Sequence, residues 1–170
     1  MKLAIIGVGY LGAVHATAMA SIGFDVIGID VDAKKIESLR SGKPPFFEPG
    51  LDELLSQTMS TGRLTWSHDI ASAADCDVHF LCVGTPQLPQ SHGADLTYVD
   101  AALSALIPHL KPGAVVAGKS TVPVGTAARL DDEVKRRWNG RGQEPVLVWN
   151  PEFLREGYAV RDTMSPDRMV

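Results

Sequence analysis

Leu3-Ala4-Ile5-Ile6-Gly7-Val8-Gly9-Tyr10-Leu11-Gly12 opens the chain with an apolar run that breaks into three glycines. The run Leu3 to Val8 has strand length, and Leu11 to Ile22 has helical period, so the glycines sit in a strand-to-helix turn. Their spacing gives each a task. Gly7 permits the tight turn, Gly9 lets the backbone approach a pyrophosphate, and Gly12 allows the helix to pack closely on the strand. The helix then presents the free N–H groups of its first turn, and the positive end of its dipole, to an anion. A glycine turn with no ligand looks the same locally, so the context decides. Asp30 closes a second apolar run 30 − 12 = 18 residues beyond the last glycine, where an acid meets an adenine ribose.

Working outward, apolar blocks of strand length alternate with helical segments. The strands are expected at Leu3 to Val8, Val26 to Asp30, Leu64 to Ser67, Val78 to Val83, Val115 to Ser120 and Val146 to Trp149. Their nearly continuous apolar character suits strands buried on both faces. Gly23 and Gly62 stop two of the helices, and a helix follows Asp32. Thr97 with Asp100 resembles a capping box, and Thr126 is the expected cap of a helix with acids 131–133 early and bases 135–137 late. The expectation is an α/β fold, a Rossmann-like doubly wound parallel sheet with helices on both faces and strand order 3-2-1-4-5-6. Arg168-Met169-Val170 reads as the start of one more strand, so the chain reads as a domain cut from a longer protein.

Composition narrows the partners. With 45% apolar and 21% charged residues the chain is globular, not disordered. A net charge of −4 argues against a nucleic-acid or anionic-lipid surface. Cys76 and Cys82 make no disulfide framework, and no Cys/His cluster has metal-ligand spacing. Apolar runs are too short to span a membrane and no signal peptide is evident, so a cytoplasmic location is expected.

Asp30 also selects the cofactor. A carboxylate there accepts hydrogen bonds from both ribose hydroxyls and repels a 2′-phosphate, which favours NAD over NADP. Lys35, five residues on, either touches a phosphate or is a solvated first-turn lysine. Three further segments lie at the same sheet edge: Cys82-Val83-Gly84-Thr85-Pro86, Lys119-Ser120-Thr121-Val122-Pro123-Val124-Gly125-Thr126 and Asn150-Pro151-Glu152-Phe153-Leu154-Arg155-Glu156-Gly157. Each alone is a turn or a helix start. Together they bring hydroxyl and carboxyl groups to the place where a nicotinamide would lie.

These segments, with Phe47-Glu48-Pro49-Gly50-Leu51, Ala94-Asp95-Leu96, Tyr98-Val99 and Pro166-Asp167-Arg168, run in order along the chain. In them the chain resembles the N-terminal NAD-binding domain of the UDP-glucose/GDP-mannose dehydrogenase family over essentially all 170 residues. The resemblance implies oxidation of the C6 alcohol of a nucleotide sugar to a carboxylate, with two NAD and an enzyme thioester. It implies that Thr121 holds a catalytic water and that Glu152 is an acid/base group in hydrolysis. Phe153 and Leu154, beside Glu152, are implied in sugar binding. The glycine turn with Tyr10 and Leu11, and Asp30, Lys35, Gly84, Thr85, Ser120, Thr121 and Glu156, are implied in cofactor binding.

The family's cysteine nucleophile, lysine and aspartate are implied to lie beyond Val170, and Cys76 and Cys82 read as structural. Cys76 lies between Asp75 and Asp77, whose charges are expected to raise its pKa. The 170-residue piece is therefore expected to be inactive alone and monomeric, with a central helix beyond it making the parent a homodimer. Phe47 to Leu51 and Pro166 to Arg168 lean toward UDP-glucose over GDP-mannose or UDP-N-acetylmannosamine. A β-hydroxyacid dehydrogenase does not account for Asn150 to Gly157, and a non-enzymatic NAD-binding module does not account for Thr121 with Glu152. His15, His92 and Trp149 depart from the family's usual residues, and His15 reads as a packing residue.

Overall fold

The six strands expected between Leu3 and Trp149 all take their place in a single parallel sheet of the computed structural model, which describes residues 1–89 and 91–166. The elements run β1 (Lys2–Ile6), α1 (Tyr10–Ser21), β2 (Asp25–Ile29), α2 (Ala33–Arg40), α3 (Leu51–Ser60), β3 (Leu64–Ser67), a 3₁₀ turn (Ile70–Ala73) and β4 (Val78–Leu81). Then come α4 (Thr97–Leu106), a second 3₁₀ turn (Ile107–His109), β5 (Val115–Gly118), α5 (Thr126–Trp138), β6 (Val146–Trp149) and α6 (Ala159–Met164). The sheet order is β3-β2-β1-β4-β5-β6, the doubly wound order read from the sequence.

Alternation along β1 builds two cores. Ala4 and Ile6 face one side, with Leu81 and Val116, under Val99, Leu103 and Leu106 of α4 and Leu130, Val134 and Trp138 of α5. Leu3 and Ile5 face the other, with Val26 and Trp66, under α1, α2 and α3. Helix α1 is made of small residues, and eight of its twelve are buried, because the sheet, α3 and α6 all press on it. It closes with paired reverse bonds: Gly23, at φ +108°, donates to Ala20 and Phe24 donates to Met19.

The structure corrects several expected boundaries. Strands β1, β2, β4 and β5 end one or two residues early. Gly7 turns the chain at φ +89° after Ile6, and beyond Leu81 and Gly118 the ladder continues by one bond each, Cys82 N–H to Ile6 and Lys119 N–H to Leu81. Thr97 and Thr126 are first helical residues, not caps. Leu96 and Gly125 (φ +88°) hold the cap positions, and the Asp95 carboxylate takes the Thr97 N–H at 2.9 Å. Acids 131–133 lie in the middle of α5, where Asp131 and Glu133 pair with Lys135 and Arg137 one turn on. The strand expected at Arg168 to Val170 lies outside the described residues.

Two tryptophans lock the outer strands. Trp66 of β3 lies opposite Gly28 of β2, and Trp149 of β6 lies opposite Gly118 of β5. A Cβ at either glycine would come within 2.2 Å or 2.4 Å of the indole. Trp149 thus has its space made by Gly118, and its Nε1 donates to Ser120 O at 2.9 Å.

Candidate active site

The glycine turn divides as its spacing requires. A Cβ on Gly12 would lie 1.9 Å from the Gly7 carbonyl oxygen, and one on Gly7 would meet Val83 at 2.8 Å. A Cβ on Gly9 would meet nothing within 4 Å. Two glycines are therefore pressed shut and the middle one faces open space, which is the cradle a diphosphate needs. Gly9 caps α1 with no side-chain acceptor, so the first-turn amides of Tyr10, Leu11 and Gly12 have no helical partner.

Asp30 lies one residue beyond β2 and is already well occupied. Its Oδ2 accepts from Val8 N at 2.9 Å and from Lys35 Nζ at 2.7 Å, and its Oδ1 accepts from Asp32 N at 3.0 Å. A carboxylate offers about four acceptor directions, so one is left, on Oδ1. Lys35 is not a solvated surface lysine, since its ammonium is paired with Asp30.

On the far side of the crevice the hydroxyls expected to meet a cofactor bind backbone. Thr85 Oγ1 donates to Thr121 O at 2.9 Å, and Ser120 Oγ donates to Val83 O at 2.5 Å, joining the loops after β4 and β5. Gly84 is open on its Cβ side and the Thr121 side chain is exposed.

Glu152 follows β6. Its Oε2 is 2.9 Å from Lys119 Nζ, its Oε1 accepts from Phe153 N at 2.9 Å, and its own N–H donates to Lys119 O at 3.0 Å. Partial burial pushes the Glu152 pKa up, but Lys119 and the Phe153 amide outweigh it and leave it below its ordinary value. Lys119 was missed as a site residue by the sequence reading. The signal was present, a single charge closing Val115-Val116-Ala117-Gly118, and its side chain is only 7% exposed. Phe153 is 80% exposed, whereas Leu154 packs with Val14, Leu51 and Ala159.

A second missed residue is Glu48. It is buried, and its Oε2 accepts from Tyr10 Oη at 2.5 Å and from Gly157 N at 2.9 Å, while Oε1 accepts from Val160 N at 3.3 Å. Tyr10 is thereby tied to the segment carrying Glu156. Burial and the Glu48 hydrogen bond push its phenol up to about 12, with a smaller push from the charge of Glu156, which is itself exposed.

The remaining titratable residues are packed. His15 sits edge-on to Phe80 at 4.7 Å, and burial pulls its imidazole down to about 4. Cys82 is buried and its thiol pushed up to about 12. Cys76 is raised too, by burial first and only then by Asp77 and Asp75, which corrects the cause expected from the sequence. His92 is exposed. Among the described residues no group of three His, Cys, Asp or Glu is placed to hold a metal, and no helix is long and apolar enough to cross a membrane.

A doubly wound sheet, an open glycine cradle and an acid after β2 define a dinucleotide-binding domain of the dehydrogenase class. Residues 1–170 match the sequence profile of the UDP-glucose/GDP-mannose dehydrogenase family, NAD binding domain, and the chain belongs to that family. It is 44% identical to UDP-glucose 6-dehydrogenase of Rhizobium meliloti strain 1021, over 100% of this chain and 39% of that protein. The fold superposes on a UDP-glucose dehydrogenase from the archaeon Pyrobaculum islandicum with a TM-score of 0.90 at 40% identity, covering 98% of this chain and 39% of that one. It superposes on a GDP-mannose dehydrogenase from Pseudomonas aeruginosa with a TM-score of 0.88 at 36% identity, covering 95% and 38%. The chain thus spans about two fifths of the length of these relatives.

Proposed function

We propose that this domain is the cofactor half of an enzyme that oxidises UDP-glucose at C6 to UDP-glucuronate. The observation that carries the reading is the pairing, along one sheet edge, of a cradle open only at Gly9 with an ionised carboxylate, Glu152. NAD, when bound, supplies the hydride acceptor, and its residues here are Gly7, Gly9, Tyr10, Leu11 and Gly12 for the diphosphate and Asp30 for the adenine ribose. The free Oδ1 direction of Asp30 takes one ribose hydroxyl, and Lys35 meets the other. Gly84, Thr85, Ser120, Thr121 and Glu156 flank the nicotinamide side, and Phe153 and Leu154 with Glu152 flank the sugar.

Conversion of a primary alcohol to a carboxylate consumes two NAD and one water and releases two NADH and three protons. In the hydrolytic half, Thr121 orients the water and Glu152 accepts its proton. The thioester that water cleaves needs a reactive thiolate. Cys76 and Cys82 are buried with raised pKa values, so the nucleophile comes from elsewhere in the enzyme. The reduced state of both cysteines suits the cytoplasm. Homodimerisation of the longer enzyme is part of the same proposal. GDP-mannose and UDP-N-acetylmannosamine are the alternative substrates, since relatives named for each share this fold.

The test has two arms. Calorimetric titration of the chain should give NAD binding tighter than NADP binding, and equal or tighter NADP binding refutes the cofactor reading. The full-length enzyme should form two NADH per UDP-glucose, while the 170-residue chain forms none. Sustained turnover by the purified chain refutes the assignment of the thiol.

A further inference from the structure

Lys119 lies one residue beyond β5, its side chain almost wholly buried. An ammonium withdrawn from water costs several kcal/mol unless a counter-charge faces it, and among the described residues Lys119 forms its ion pair with Glu152. The backbone fixes the pair before the side chains meet, because Glu152 N–H donates to Lys119 O at 3.0 Å. Lys119 Nζ then holds Oε2 at 2.9 Å while Phe153 N–H holds Oε1 at 2.9 Å. Donors on both oxygens fix the plane of the carboxylate and leave its remaining lone pairs in set directions.

The other titratable groups that sense this pair come from the two elements packed behind it. His15 of α1 and Cys82 after β4 both interact electrostatically with Lys119 and with Glu152. Both are buried and neutral at neutral pH, so the patch holds one cation and one anion. Removing the cation would leave the half-buried carboxylate without its ion pair.

We propose that Lys119 is a positioning residue for Glu152, pairing with the carboxylate and fixing its orientation at the sheet edge. This rests on the reading of Glu152 as the acid–base carboxylate, and it gives that residue its working state. A water held by Thr121 meets an acceptor that is already deprotonated, and the neighbouring ammonium opposes protonation by any other route.

The proposal is tested without turnover, by NMR titration of the Glu152 side-chain carboxyl and the His15 imidazole in the 170-residue chain. In Lys119→Met the Glu152 midpoint should rise by about one pH unit or more, and that of His15 should rise with it. In Lys119→Arg both should stay within about 0.3 unit of the parent. Unchanged midpoints in folded Lys119→Met overturn the proposal. Should Lys119→Met fail to fold, the ¹⁵Nζ signal of Lys119 in the parent decides. A hydrogen-bonded, slowly exchanging ammonium that is lost in Glu152→Gln supports the pair. A signal like that of free lysine, unaltered in Glu152→Gln, overturns it. NAD titration of the same samples keeps the two questions separate, since failure to bind NAD sinks the functional reading and leaves these midpoints standing.

Discussion

Acidification should destabilise this domain well above the pH at which its carboxylates protonate, because two neutral histidines are built into its interior. His15 is 7% exposed and His79 is 0% exposed. Each imidazole is pulled from 6.5 to about 4, by burial first and then by the charge of Lys119 on His15 and Lys111 on His79. Glu152 and Asp77, with the Cys76 backbone beside His79, pull the other way and lose.

In the unfolded chain both histidines take up protons as the pH falls through 6.5, while in the native state they stay neutral until about 4. Stability is therefore fully present above the unfolded value, is lost as the pH falls across this window, and is independent of these groups below it. At pH 5 the linkage is worth about 2 kcal/mol for each histidine, hence about 4 kcal/mol together, out of a typical total of about 5–15 kcal/mol.

Urea melts followed by circular dichroism at pH 7.5 and pH 5 should differ by about 2 M in midpoint, taking a slope of about 2 kcal/mol/M. His79→Leu should remove about half of that pH dependence, whatever it does to stability at neutral pH. Carboxylates held low, such as Glu152 and Asp162, act only at more acid pH and cannot mimic the effect. Equal midpoints at the two pH values, or a native imidazole titrating near 6.5, would refute the assignment of buried neutral histidines.

Gly12→Ala should destabilise the fold by about 3 kcal/mol or more, since its Cβ would fall on a carbonyl oxygen that cannot move aside. Gly9→Ala should melt like the parent yet bind NAD at least about tenfold more weakly, and an unchanged NAD affinity would show that the cradle is elsewhere. Asp30→Ala removes one charge-assisted bond to the ribose, about 1.5–3 kcal/mol, so calorimetry should read a roughly 10- to 150-fold rise in Kd for NAD. Light scattering across a concentration series should give a monomer for the 170-residue chain. A stable dimer at micromolar concentration would mean that exposed Val146 and Val148 on edge strand β6 form an interface.

The fold was legible because its signals are local. Apolar runs, glycines and the acid after the second run each act within a few residues of where they stand, and strand order followed from their alternation. Gly125 takes the cap before α5 because its left-handed conformation is open to no threonine, which leaves Thr126 as the first helical residue, while before α4 the Asp95 carboxylate takes the Thr97 N–H and Leu96 holds the cap position. What was not legible depends on register. Lys119 meets Glu152 only because β5 and β6 pair Gly118 with Trp149, which brings the residues just beyond them together. Glu48 reaches Gly157 across 109 residues, and no local pattern announces that. The one warning the sequence carried was chemical, since a lone charge in an apolar setting needs a partner somewhere.

The same register explains why the polar residues of the site are hard to sort by substitution alone. Ser120 and Thr85 spend their protons on Val83 and Thr121 backbone, so removing either hydroxyl loosens the wall of the crevice as well as any cofactor contact. Tyr10 and Glu48 together hold the Gly157 amide, so a change at Tyr10 moves the segment that carries Glu152 and Glu156. Thr121 and Glu156 stand apart from these: both side chains are exposed, and neither is hydrogen-bonded to another side chain among the described residues. A loss of activity in Thr121→Ala or Glu156→Gln, with stability unchanged, therefore reports on chemistry. The same loss in Ser120→Ala or Tyr10→Phe reports first on the scaffold, and only a variant that keeps the backbone bond can separate the two.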